Sequence, residues 1–258
     1  MFIDSHAHYD DAAFDKDRDK LIPALHQAGI DAIVDCASTL ESNDKVLGLA
    51  EKYPYLYAAV GVHPEEINGL TPEDSAAIFD LAYSSDKVVA IGEIGLDYHY
   101  KPDTKEDQKD WFLEQIELAK ELDLPIIVHS RDAAKDTMDI IKEGEADRVG
   151  GVIHAYSGDV QMAKEYVSMG FYLGVGGMVT FANVKKLIRV VEEIDLSHLL
   201  LETDCPYLAP VPKRGTRNDS SNLLYVAEKI AQIKGVTIEE VAKVTSENAR
   251  RLFKWNQE

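Results

Sequence analysis

Two imidazoles separated by one residue, His6 and His8 in FIDSHAH, open a series of metal-type donors that recurs along the chain. Glu93 ends VVAIGE, His129 ends PIIVH, His154 ends GGVIH and Asp204 ends LLLETD, so each donor closes a short hydrophobic run. Side chains of extended backbone alternate with a period of two. His6 and His8 therefore share a face and can bind one cation together, and Glu202 and Asp204 have the same spacing. Neutral imidazole suits zinc, manganese, iron or nickel, and carboxylate oxygens widen the choice to magnesium. A mixed set of histidines and carboxylates points to two divalent ions (Mg, Mn or Zn) with a bridging carboxylate, not to one structural zinc. Cys36 and Cys205 lie far apart without a CxxC pair and make no zinc staple.

A single histidine at a strand end is ordinarily a hydrogen-bonded core or surface residue. Joint occurrence changes that reading: of 8 histidines, His6, His8, His63, His129 and His154 all follow strand-like runs. His26 sits in an amphipathic helical stretch, His99 in the YHY loop and His198 ahead of its strand, so packing or solvated roles are expected for these three.

The donors need a scaffold that brings distant strand ends together. Strand-like runs fall near 2–6, 31–37, 56–62, 88–93, 125–129, 150–154, 171–175 and 199–203, where β-branched residues and leucine dominate. Helical patterns lie between them at 16–28, 41–52, 72–83, 105–122, 132–143, 159–169 and 183–193, and two more follow at 221–234 and 237–253. Thr71-Pro72-Glu73 and the Thr237/Glu240 pair mark helix starts, and Gly29 marks a stop. Eight strands alternating with helices predict an α/β fold, a (β/α)₈ TIM barrel with an extra C-terminal helix, and the length of 258 residues suits it. A doubly wound open sheet is disfavoured, because only a closed ring gathers donors from the first, fourth, fifth, sixth and eighth strands over one mouth. No glycine-rich phosphate loop follows the first strand, so no nucleotide cofactor is expected.

With no Pro/Gly/Ser-rich linker, residues 1–258 read as a single domain. No apolar run reaches the roughly 18 residues of a membrane span, and MFIDSHAH reads as a strand, not a signal segment. A monomeric cytoplasmic protein is expected, and two unpaired cysteines fit a reducing compartment.

The formal charge of −19 argues against binding long duplex through a general field. Most acids fall on helical stretches such as EDQKDWFLEQIELAKELD, while Lys213, Arg214 and Arg217 follow Asp204 and Arg131 follows His129. Arg131, Arg214 and Arg217 are the expected substrate-binding residues, as forked phosphate clamps.

IDSHAH, GVHP, IGEIGLDY, PIIVHSRDA, GVIHAYSG and ETDCPYLAPVPKRGTRN resemble, in order and spacing, the signatures of the TatD-type metal-dependent deoxyribonucleases, and the closing TSENARRLF resembles that family's last helix. The resemblance implies a divalent-metal hydrolase of DNA phosphodiesters, a 3′-5′ exonuclease acting on 3′ ends or single strands. Carried across, His6, His8, Glu93, His129, His154 and Asp204 are the metal ligands, with Glu93 bridging; Asp204, Glu93 and Glu202 are the catalytic carboxylates; and His63, which matches a family position at the same mouth, is a substrate contact. Two ions about 3.5 to 4 Å apart would activate a shared water and stabilise the leaving oxygen, with Asp204 accepting the proton. This chain departs from the family's usual wording at His63-Pro64-Glu65, at His154-Ala155-Tyr156 and at Arg217-Asn218-Asp219-Ser220, none of which removes a ligand. An amidohydrolase acting on C–N or ester bonds of a small molecule is the alternative. Its relatives often bridge their metals with a carboxylated lysine at the end of the fourth strand, where this chain has Glu93 and its nearest lysine, Lys87, lies at the other end. A non-catalytic nucleic-acid or partner-binding protein that keeps its metal is a third reading, disfavoured by the intact water-activating set.

Overall fold

A computed structural model describes residues 1–255. Eight parallel strands, β1 (Phe2–Ala7), β2 (Ile30–Cys36), β3 (Leu56–Val60), β4 (Val88–Asp97), β5 (Ile126–Arg131), β6 (Gly151–Ile153), β7 (Phe171–Val175) and β8 (Leu199–Leu201), pair in chain order. Helices α1 (Arg18–Gln27), α2 (Leu40–Lys52), α3 (Pro72–Tyr83), α4 (Lys105–Leu122), α5 (Ala134–Glu143), α6 (Val160–Ser168), α7 (Lys185–Glu193) and α8 (Leu223–Lys234) follow the strands in turn, and α9 (Ile238–Leu252) is the additional C-terminal one. This is the (β/α)₈ barrel. No helix among the described residues is long and apolar enough to cross a membrane.

Local chemistry sets the element ends. Thr39 and Ser42 form a reciprocal capping box on α2, and Thr237 accepts from Glu240 N at the start of α9. Gly29 and Gly235, at φ 100° and 69°, take the left-handed conformation just past α1 and α8. The strands are mostly apolar on both faces because each is covered by helices outside and by other strands inside, with Asp4, Asp35 and Glu93 as buried exceptions.

The ring closes between β1 and the segment after β8. Ser5 Oγ donates to Leu201 O (3.0 Å), Asp204 N to His6 O (3.0 Å) and His8 N to Cys205 O (2.8 Å). Asp4, fully buried, reinforces this seam by accepting from Thr203 N (2.9 Å), Thr203 Oγ1 (2.7 Å) and Ser220 Oγ (2.6 Å). At the opposite end α9 acts as a plug: Ala249, Leu252 and Phe253 pack with Ile3, Val34, Val89 and Leu200.

Element ends shift by a few residues from the sequence expectation, and two shifts matter. β4 runs to Asp97 rather than Glu93, and β8 stops at Leu201, before Glu202 and Asp204. Register slips between Asp4 and Ala7 and between Ile91 and Ile94 bracket His6 and Glu93. Bulges of this kind re-aim a side chain beside a functional site.

Gly95 permits β4 to continue against β5. Its φ is 136°, and a Cβ there would lie 2.1 Å from His129 O, which is backbone and cannot step aside. Gly95→Ala is therefore expected to destabilise the fold by about 3 kcal/mol or more. Urea unfolding measures this, and wild-type stability in the variant would contradict the close packing of β4 on β5.

Candidate metal centre

The predicted donors converge at the C-terminal mouth of the barrel. His6 Nε2 and His8 Nε2 face each other at 3.0 Å. Glu93 Oε2 lies 3.4 and 3.6 Å from them, and Asp204 Oδ1 lies 3.8 and 3.5 Å. The other oxygen of Glu93, Oε1, faces His129 Nδ1 at 2.9 Å, His63 Nε2 at 3.7 Å and His154 Nε2 at 3.7 Å. His6, His8 and Glu93 form one donor group, His6, His154 and Asp204 a second, and His63, Glu93 and His129 a third, each with ligand atoms within 4.8 Å of one another.

Ring tautomers separate the histidines by role. His8 Nδ1 lies 2.8 Å from the Cys36 carbonyl, which can only accept, so Nδ1 carries the proton and Nε2 presents a lone pair to a cation. His129 turns Nε2 towards Asp97 Oδ2 at 3.0 Å, which leaves Nδ1 for the centre. His63 is different: Glu65 N donates to its Nδ1 (3.2 Å), so in the neutral ring the proton sits on Nε2, facing Glu93. That makes His63 a donor to oxygen rather than a lone pair for a metal.

Asp97 is the functional residue that sequence reasoning missed. Its Oδ1 accepts from His99 N (2.9 Å) and Tyr100 N (2.7 Å) while Oδ2 holds His129. Burial pushes this carboxyl up, but those hydrogen bonds, His129 first, outweigh it and bring it to about 2. The signal was the LDY that follows IGEIG: Asp97 lies four residues beyond Glu93, past the expected strand end.

The charge balance of the centre calls for a cation. Glu93 is 3 % exposed, and burial alone would drive its carboxyl up, yet His6, His63, His154 and His129 hold it well below the ordinary range. Conversely, burial would strip His8 of a proton, but Asp204 and Glu93 raise the imidazole to about 10. His154 is raised to about 9 by Glu202 and Glu93 against the same burial. Burial takes His63 down to about 3, against the pull of Glu93, so it stays neutral. Two facing ring nitrogens beside two carboxylates fit a divalent ion, whose charge replaces protons that would otherwise crowd the site.

The remaining expected site residues are placed differently. Glu202, 1 % exposed, lies behind His154: Oε1 is 3.3 Å from His154 Nδ1 and accepts from Ala155 N (2.7 Å). A catalytic role at the mouth does not suit a carboxylate so enclosed, and its geometry is that of a positioning residue. The two-residue spacing to Asp204 is not strand alternation, because Asp204 has left the strand at φ 57°. Arg217 commits its fork to Asp17, Nη1–Oδ1 and Nη2–Oδ2 both at 2.7 Å, which ties the loop after β8 to the segment before α1 instead of offering it to phosphate. Arg131 and Arg214 are exposed, their guanidinium groups over the Tyr100 and Phe181 rings at 4.6 and 4.0 Å. His26 stacks on Tyr55 and His99 faces Asp132, in packing and solvated settings respectively.

A parallel barrel with a histidine and carboxylate ring at its C-terminal mouth is an architecture suited to metal-assisted hydrolysis. The sequence profile of "TatD related DNase" matches residues 3–254. The chain is 45 % identical over 256 residues to the Bacillus subtilis uncharacterized metal-dependent hydrolase YabD, covering 99 % of this chain and 100 % of that one. It is 34 % identical to human deoxyribonuclease TATDN3, covering 97 % and 94 %. Among solved structures, the Escherichia coli TatD homologue YjjV superposes with a TM-score of 0.91 at 33 % identity, covering 99 % and 98 %. The chain belongs to the TatD family of metal-dependent hydrolases.

Asp97→Asn removes the carboxylate behind His129 and is expected to weaken metal affinity about 10- to 100-fold, read by competition with a chromogenic chelator. Unchanged affinity would remove Asp97 from that role. Because Asp204 and Glu93 raise His8 to about 10, and Glu202 and Glu93 raise His154 to about 9, a binding ion must displace protons, and affinity is expected to rise with pH through neutrality, measured by the same competition across a pH series.

Proposed function

We propose that this protein hydrolyses DNA phosphodiester bonds as a 3′-5′ exodeoxyribonuclease, with two divalent ions held by His6, His8, Glu93, His129, His154 and Asp204. The observation that carries this reading is the division of Glu93, whose two carboxylate oxygens face separate groups of imidazoles. A bridging carboxylate has that disposition. When bound, the ions supply Lewis acidity to a phosphoryl oxygen and lower the pKa of a water.

The protein's own residues do the rest. Asp204 keeps 17 % of its side chain exposed, with Oδ1 among the donors, and is the carboxylate that can accept a proton from the attacking water. Its left-handed backbone holds it there, through Asp204 N on His6 O. Asp97 fixes the orientation of His129 by a hydrogen bond, and Glu202 stands 3.3 Å behind His154 as its counter-charge. His63 Nε2–H donates to a phosphoryl oxygen, and Arg131 and Arg214 hold non-reacting oxygens. Tyr207, 56 % exposed and three residues past Asp204, offers a ring to a terminal base.

DNA as substrate is favoured by the family's name and by that of the human relative. The −19 charge favours ends and single strands over long duplex. Against a small-molecule amidohydrolase built on a modified lysine stands Lys87, whose Nζ is spent on the Pro54 (2.8 Å) and Leu56 (2.9 Å) carbonyls at the far end of β4.

Purified protein is expected to shorten 3′-end-labelled DNA with Mg or Mn and to stop with a chelator. A His129→Ala, Asp204→Ala double variant should lose about a thousandfold or more in kcat, and full activity in that variant would overturn the assignment. Arg214→Ala should instead raise KM while metal content, measured on the same sample, holds.

A further inference from the structure

We infer that a nucleic-acid strand leaves the metal centre along the loops after β6 and β7, where Lys185 and Lys186 take phosphates flanking the scissile one. Two adjoining cavities mark the path. The first, about 370 Å³, has His154 on its wall and runs past Tyr156 and Ser157 to Lys186. The second, about 340 Å³, shares Tyr156, Ser157 and Lys186 with it and extends to Lys185. One wall of the path is thus a donor of the proposed centre, and its far end carries two cations. Cavities of this size hold drug-sized groups such as a nucleotide.

The lysines are unpaired in a chain that pairs most of its neighbouring cations. On the same helix Arg189 reaches Glu193, which also receives Lys164 of α6, and Lys142 of α5 reaches Glu165. Lys185 and Lys186 are exposed and have no carboxylate within ion-pair distance among the described residues. They occupy the first turn of α7, the end of a helix that disfavours cations, whereas α2, α3, α4 and α9 carry acids in their first turns. Unpaired cations at such a position suit an external anion. The carboxylates on the first cavity's other wall are engaged: Asp159 caps α6 through Met162 N, and Asp132 faces His99. Arg214, over Phe181 in the loop leading to α7, extends the same positive edge.

This inference rests on the proposed nuclease reading, and the test separates the two. KM is measured for a thymidine dinucleotide and for a longer single strand, across a salt series, in wild type and in Lys185→Ala/Lys186→Ala. In wild type the longer strand is expected to bind better. In the double variant KM for that strand should rise about tenfold, the gain with length should vanish, and the slope of log KM against log salt should fall by about 1.4. Metal content and circular dichroism establish that the variant is folded and loaded. If wild type cleaves both strands but the variant keeps the length gain and the salt slope, the lysine path is overturned while the nuclease reading stands. If metal-loaded wild type cleaves neither, both fall.

Discussion

The structure depends on one buried carboxylate that no lysine or arginine neutralises. Glu93 lies inside the barrel mouth with His6 and His8 at one oxygen and His63, His129 and His154 at the other. A charge so placed is tolerated only with countercharge and hydrogen bonds around it. Protons on His8, His129 and His154 can supply that charge, but a proton on His8 Nε2 then confronts His6 Nε2 at 3.0 Å. A divalent ion removes that conflict, since it satisfies lone pairs and carboxylates together. Fold and metal dependence are in this sense one problem: the mouth is electrostatically complete only when charged from outside the chain.

Positioning the donors to a fraction of an ångström takes more than a regular barrel. Strict alternation would send neighbouring side chains in opposite directions, and the chain escapes this at three places. Register slips bracket His6 and Glu93, and Asp204 leaves the strand direction with φ 57°. The seam between β1 and the segment after β8 then does double duty. Hydrogen bonds from Asp204 N and His8 N close the ring and also fix donors from the two ends of the chain. Asp4 secures the same seam from within, where burial raises its carboxyl to about 7 despite its bonds to Ser220 and Thr203.

Much of this was legible in the sequence, for a physical reason. A buried parallel strand must be apolar along its length, so a ligand at its end interrupts the pattern visibly, and His129 after PIIV or His154 after GGVI stands out. Helix starts were legible where side chains make the cap, as at Thr71 and Thr237. What stayed hidden depends on tertiary partners. Asp97 looked like a loop residue because β4 outlasts its hydrophobic run, and only pairing with β5 shows that it reaches His129. Arg217 looked like a phosphate clamp because Asp17, its partner, is 200 residues away in the chain. Glu202 and Asp204 looked equivalent because their spacing is two, and backbone dihedrals separate them.

The same division separates the residues of the centre from those that could meet a substrate. Metal donors sit on strand ends and tight turns, buried and cross-braced, so changing one disturbs the fold as well as the chemistry. The cations that could meet a substrate, Arg131, Arg214, Lys185 and Lys186, are exposed on loops or first helical turns, where substitution costs the scaffold little. Changes at these positions could therefore alter what enters the mouth without touching the donor groups. In a chain of charge −19, the proposed anionic substrate would meet the mouth against the general field, so a few unpaired cations on one edge would carry disproportionate weight. On the proposed reading, specificity would be set less by the centre, which hydrolases of this architecture share, than by which edge of the rim is left positive.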